Sequence, residues 1–376
     1  MGETMNMELV VIDVRPGAAM ESQSGLQMLR PRIYGAFTRP PGARTAALIM
    51  HPTSNFMGHY LLAPLAARGI ATLALNSRYM GNDAVLLLEQ VIQDMGAGVA
   101  WLRRQGFERV ALIGNSGGAA LSALYQAQAE NLSITDTPAG DPVDLRPDDL
   151  PPADGIVLAA AHLGRSRLME TWIDPAVVDE HDPMPTCAQL DMFNPDNGPS
   201  YSPAFLERYR TAQRARNAGI EAWARDRLSQ LRARADGMRD EAFVIHRTLA
   251  DPRCLDPSID PNDRIPGTTV WGPPHAQNYA ANSMGRYTSL TGYLSQWSPS
   301  SRGDGPANLA RTRVPVLLLE YTADPSVFPS DNAAWAEAAK GRVQRHAIKG
   351  GNHYLSGQPH LVDQVADHIA GWCNRL

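Results

Sequence analysis

Residues 111–125, ALIGNSGGAALSALY, change character in their middle. Apolar residues suited to a buried strand run into Gly114-Asn115-Ser116-Gly117-Gly118, and small apolar residues at helical spacing follow. The pentapeptide fits G-x-S-x-G between a strand and a helix. A serine on so sharp a turn projects its hydroxyl above the sheet, and small neighbours let strand and helix close around it. The N-terminus of the following helix favours developing negative charge. The chemistry this suits is nucleophilic attack by Ser116. The alternative is a glycine-rich connector with an incidental serine, and the rest of the chain must decide.

A serine hydroxyl is a poor nucleophile at neutral pH, so it needs a base, and the base needs an orienting acid. In a sheet protein both should stand on loops at the same strand ends, later in the chain, acid before histidine. Asp324 falls just past the apolar run VPVLLLEYTAD and is followed by Pro325. His353 falls after the next strand pattern, in a Gly-Gly-Asn-His loop. The order Ser116, Asp324, His353 is therefore the required one. As a mere helix cap or turn former Asp324 is less well suited than Asp331 or Asp251, whereas His353 read alone is an ordinary polar loop residue.

These residues need elements to hold them. Short apolar runs at 44–52, 69–77, 109–116 and 155–163 predict buried strands, and helical patterns occupy 84–104 and 117–130. Near-continuous apolar strands alternating with helices predict an α/β fold, a mostly parallel sheet with helices on both faces. The pattern breaks at about 165, where the chain becomes rich in Pro, Asp and Arg. One long helix is predicted at 202–235, with Ser202 as N-cap and Pro203 in the first helical position. At 314 the sheet pattern resumes and ends in a helix near the C-terminus. A structureless loop of some 145 residues would be very unusual. Residues 1–165 and 311–376 are accordingly expected to form the core, and 166–310 a helical and irregular cap.

Composition narrows the partners. The 376 residues are 44% hydrophobic and 19% charged, enough to bury a substantial core. A net charge of -5 gives no basic field for nucleic acid or an anionic membrane. No run reaches the ~20 apolar residues of a membrane span. The opening stretch MGETMNMELVVIDVRPG does not read as a signal peptide. Cys187, Cys254 and Cys373 lie far apart, against both a disulfide framework and a zinc site. The expectation is a cytoplasmic protein with a small-molecule substrate, no metal and no membrane partner. A homodimer through the cap or the N-terminal segment is the remaining partner reading.

The segments GNSGG and TADPSVFP, with the sheet pattern around them, resemble the α/β-hydrolase fold superfamily over about 40–165 and 311–376. The resemblance implies a Ser-His-Asp triad, an oxyanion hole, the intervening segment as a lid, and no cofactor. One oxyanion donor is then the Gly117 N–H, directly after the serine. The other comes from the loop after the strand ending LIMHPTS. Superfamily members often carry His-Gly there, but this chain has His51-Pro52-Thr53. Proline has no N–H, which makes Thr53 the expected donor and Ser54 the fallback. His51, His59, Arg78 and His162 stand at the same strand ends and are candidates for the substrate pocket. For Arg78 a structural ion pair is the competing role, and for His51 a buried ring bonded to backbone. The arginines of the long helix are interleaved with Glu207, Glu221 and Asp226, which favours a solvated face over a phosphate or CoA site. The expected activity is hydrolysis of a small-to-medium carboxylic ester. Alternatives are C–C bond cleavage in a diketone or ring-fission product, thioester hydrolysis, and a silent ligand-binding protein on the same fold.

Overall fold

Strand residues that face helices on both sides of a sheet must be apolar at every position, and the central strands here obey that rule. The computed structural model describes residues 7–16 and 31–376; the first six residues of the opening stretch, and 17–30, lie outside them. Eight strands form the central sheet: β1 Met7–Asp13, β2 Arg32–Thr38, β3 Thr45–His51, β4 Ala71–Asn76, β5 Arg109–Asn115, β6 Gly155–Ala159, β11 Val316–Tyr321 and β12 Val343–Ile348. Their order is β1-β2-β4-β3-β5-β6-β11-β12. From β4 to β12 every pairing is parallel, whereas β1–β2 and β2–β4 are antiparallel. The fold is α/β, as the strand and helix alternation predicts.

Successive strand residues face opposite sides of the sheet. Leu48, Met50, Leu112, Val316 and Leu318 pack on one side with Val91, Ile92, Met95 and Val99 of helix Leu88–Arg104 and with Leu121 and Leu124 of helix Gly118–Glu130. Ala47, Ile49, Ile113, Leu317 and Leu319 pack on the other with Leu65, Leu361, Val365 and Ile369, the last three from helix Pro359–Cys373. Burying each such Leu or Ile stabilises by roughly 1.5–3 kcal/mol. β1, at one edge of the sheet, and its neighbour β2 went unread in the sequence. β1 buries only Val10 and Ile12 and exposes the residues between, so it lacks the continuous apolar signature.

β6 and β11 are direct neighbours in register. The chain between them therefore leaves the sheet and returns to the adjacent position. It contains two small antiparallel pairs, β7 Val177–Asp179 with β8 Asp182–Thr186, and β9 Ala242–Val244 with β10 Tyr287–Ser289. It also contains the long helix Pro203–Arg232, where Ser202 accepts the Phe205 N–H as the cap and Pro203 leads. Ile220, Ala224, Leu228 and Leu231 of that helix share a small core with Leu290, Tyr293, Leu294 and Trp297. Arg208, Arg214 and Arg225 lie on an exposed face, as expected, whereas other arginines turn to partners outside the helix. Arg210 bonds Asp251, Arg216 bonds Glu180, and Arg232 bonds Asp141, each a residue remote in the chain. They fasten the helix to its surroundings; Arg225–Glu221 is a pair of the within-helix kind.

Candidate active site

The turn at Ser116 is built by the residues that flank it. Ser116 has φ +56°, a left-handed conformation that costs an L-residue of order 1–3 kcal/mol. Three contacts hold it there. The Ser116 N–H donates to the Ala159 carbonyl at 3.2 Å, the Asn115 amide donates to the same carbonyl at 3.0 Å, and the His162 N–H donates to the Ser116 carbonyl at 3.3 Å. The glycines are required by space. A Cβ on Gly114 would lie 2.4 Å from Ala119 Cα, and one on Gly118 would lie 2.4 Å from the Met50 carbonyl oxygen.

β11 ends at Tyr321 and delivers Asp324, whose side chain is wholly buried. Asp324 Oδ1 accepts the N–H groups of Ser326 at 2.8 Å and Val327 at 3.1 Å. This fixes the carboxylate and leaves Oδ2 for the His353 Nδ1–H at 2.7 Å. His353 Nε2 in turn accepts the Ser116 hydroxyl at 3.0 Å. Three side chains remote in sequence thus form one hydrogen-bonded relay. With its Nδ1 proton held by the carboxylate, the imidazole presents a lone pair to the serine hydroxyl. Such an arrangement can take that proton as the oxygen attacks and return it to a leaving group. Asp331, by contrast, accepts the Phe328 N–H at the start of helix Pro329–Ala338, and Asp251 accepts the Arg253 N–H, both as turn and cap residues.

The segment between β6 and β11 reaches this relay. Asn262 donates to the Asp324 carbonyl at 2.9 Å, and Thr322, just before the acid, bonds Asp263 at 2.5 Å. Trp172 sets its ring edge-on to His162, whose ring lies 5.2 Å from that of His353. Ser116 is left 5% exposed and His353 4%.

The other predicted residues divide. His162 stands beside the relay, and burial pushes its pKa well below the usual histidine value. Both ring nitrogens of His59 are engaged within the protein. Nδ1 accepts the Leu61 N–H at 3.2 Å, so the proton sits on Nε2 and goes to Asn115 Oδ1 at 3.2 Å. The ring thereby braces the residue before the serine, and burial holds its pKa at about 4. Arg78 is not a substrate ligand. Its guanidinium bonds Asp94, Gln93 and the Arg15 carbonyl, and its side chain is 2% exposed. The competing role, a structural ion pair, is the one it fills.

The oxyanion loop also differs from expectation. No hydrogen bond of the Gly117 N–H is found among the described residues. The Thr53 N–H, however, donates to His51 Nδ1 at 3.2 Å, and the fallback donor Ser54 N–H does so at 2.9 Å. The His51 ring has turned back over its own loop and occupies both groups. A Cβ on Gly117 would meet His51 Nε2 at 2.8 Å, so the ring also lies directly against the residue after the serine. Thr53 contributes its side chain instead, accepting from buried Arg165 at 2.8 Å. The sequence reading missed Arg165 and also Tyr354. The Tyr354 ring stands edge-on to His353. Adjacency to His353 in the chain was the available signal for Tyr354. Arg165 carried none, since its contacts are made across 112 residues.

Among the described residues no helix is long and apolar enough to cross a membrane, and no group of three or more His, Cys, Asp or Glu is placed to hold a metal ion. No known sequence family matches the chain, and no curated protein does. Solved structures do. DcsB, determined with a substrate analogue, is 16% identical, with a TM-score of 0.50 over 96% of this chain and 98% of that one. A carboxyl esterase from Bacillus coagulans is 11% identical, with a TM-score of 0.49 over 99% of each chain. The esterase domain of a Rhodothermus marinus protein is 14% identical, with a TM-score of 0.47 over 99% of each chain. At such identities it is the fold that is shared, and with the sheet order above this chain has the α/β-hydrolase fold.

Proposed function

We propose that this protein is a serine hydrolase that cleaves carboxylic esters of small to medium size through an acyl-enzyme. One observation carries the reading: the unbroken relay from the Asp324 carboxylate through the His353 imidazole to the Ser116 hydroxyl. Ser116 Oγ attacks the ester carbonyl while His353 Nε2 takes its proton. The same proton then goes to the departing alkoxide, leaving Ser116 acylated. A water molecule, deprotonated by His353, attacks the acyl carbon and frees the acid and the serine. Asp324 keeps the imidazole in the useful tautomer and stabilises its protonated form. The Gly117 N–H donates to the carbonyl oxygen as negative charge builds on it. An ester rather than an amide is proposed from the superfamily that the sequence resembles, and not from any residue of the site.

Residues 166–310 act in this reading as a cap. Its contacts to the acid loop and to His162 support that role, and a covered site strengthens each electrostatic contact made inside it. No cofactor enters the scheme. The test is turnover of p-nitrophenyl esters of graded acyl length by the wild type and by Ser116→Ala. The wild type should cleave at least the shorter esters, and the variant should lose on the order of 10³-fold or more in kcat. Equal turnover by the two would overturn the assignment of Ser116.

A further inference from the structure

We infer that the Nε2–H of His51 is the second donor to the oxyanion, in the place that a backbone N–H would otherwise fill. The inference rests on the hydrolase reading above and adds a residue to it. Four observations lead there. First, the two backbone groups best placed by sequence, Thr53 N–H and Ser54 N–H, both donate to His51 Nδ1. Second, a nitrogen that accepts two hydrogen bonds carries no proton, so the proton of the neutral ring is on Nε2. Third, Nε2 lies against Gly117, whose N–H is the other donor and whose missing side chain leaves room for the ring. Fourth, Nε2 has no hydrogen-bond partner among the described residues, and it is absent from the sealed, unpartnered polar atoms that include His162 Nδ1.

The ring is also held in the required state. Burial lowers the His51 pKa to about 3, and the nearby charge of Arg165 and the proximity of His353 push the same way. It therefore stays neutral at the pH where His353 works. A neutral imidazole donates without offering its proton, so the negative oxygen is stabilised and not protonated. The one bond to hydrogen that breaks in the step is the Ser116 O–H, whose proton passes to His353 Nε2; the His51 Nε2–H bond stays intact. Ser116 Oγ bonds to the carbonyl carbon, the carbonyl π pair moves to oxygen, and that oxygen accepts from Gly117 N–H and His51 Nε2–H. Arg165, through its bond to the Thr53 hydroxyl, holds the loop that fixes the ring. Preorganised donors of this kind cost no rearrangement when the charge appears.

His51→Asn separates donation from loop support. The Asn Oδ1 falls near the position of Nδ1 and can accept the two backbone N–H groups, but no atom reaches the position of Nε2. The expected result is a fall in kcat of about 10²–10³-fold with little change in KM and an unchanged thermal midpoint. A variant that is folded and keeps the wild-type kcat overturns the role of His51 while the hydrolase reading stands. A wild type without ester turnover overturns both. A measurement on the wild type itself removes any dependence on the variant's folding. With ¹⁵N-labelled histidine, His51 should show a protonated Nε2 and an unprotonated Nδ1, and its Nε2–H should shift downfield when a trifluoromethyl ketone forms a tetrahedral adduct at Ser116. A proton on Nδ1, or an Nε2–H resonance unmoved by the adduct, overturns the proposal.

Discussion

Ser116 is an L-residue held where glycine would sit more easily, and Asn115, Ala159 and His162 supply the bonds that keep it there. Asp324 is similarly over-determined, with one oxygen fixed by two backbone N–H groups and the other left to the imidazole. Asp324→Asn keeps the size of the group but offers an amide donor where His353 needs an acceptor. The imidazole should then lose its useful tautomer, and kcat should fall by about 10³–10⁴-fold with the fold retained. Steady-state kinetics near neutral pH check this, and an unimpaired variant would show that Asp324 only shapes its turn. Ser116, Asp324 and His353 were legible in the sequence because each sits at a strand end with its own local signature. The oxyanion loop was misread, because a backbone N–H is free or occupied according to where one side chain turns. The partners of Arg78 and His59 were missed for a related reason, since residue type does not reveal that Asp94 or Asn115 is waiting nearby.

Among the elements, parallel strands were the easiest to read, because burial on both faces makes their sequences continuously apolar. β1 and the short pairs β7–β8 and β9–β10 were not, since they expose one face and run for only a few residues. The long helix was legible by its cap and first-position proline, but the partners of Arg210, Arg216 and Arg232 come from other elements and could not be judged from their neighbours in sequence. The segment between β6 and β11 is held together by polar links of this kind. The most enclosed joins Arg247 to Asp174 at 2.9 Å, with both side chains wholly buried and Asn278 bonding the same carboxylate at 2.7 Å. Arg247→Met removes the cation and leaves a buried carboxylate without its counter-charge. The expected loss is about 3–5 kcal/mol, visible as a lower guanidinium chloride midpoint. An unchanged midpoint would mean that the segment does not depend on this pair.

For the whole molecule, three buried neutral histidines gather at the strand ends around the serine. Burial lowers His51 to about 3, His59 to about 4, and His162 well below its ordinary value. In the unfolded chain each titrates near pH ~6.5. Below that pH the unfolded state therefore binds more protons than the folded one, so stability falls as the solution is acidified. The loss should set in as pH drops through about 6.5 and grow down to about 4, with unfolding near pH 5 taking up as many as three extra protons from these groups. Denaturant midpoints measured across pH 4–8 give the proton uptake as the slope. His59→Asn should reduce that slope by about one proton. A flat profile would contradict the burial of these rings in their neutral form. The composition of the chain gave no hint of this sensitivity, which comes from where the histidines are placed and not from their number.

The account depends on Ser116 being the one hydroxyl activated by the His353 relay, and labelling with a fluorophosphonate probes that most directly. The reagent mimics the ester carbonyl and reacts only with an activated serine. Peptide mapping by mass spectrometry should place a single adduct on Ser116 of the wild type and none on Ser116→Ala. An adduct on another serine, or an unlabelled wild type, would contradict it.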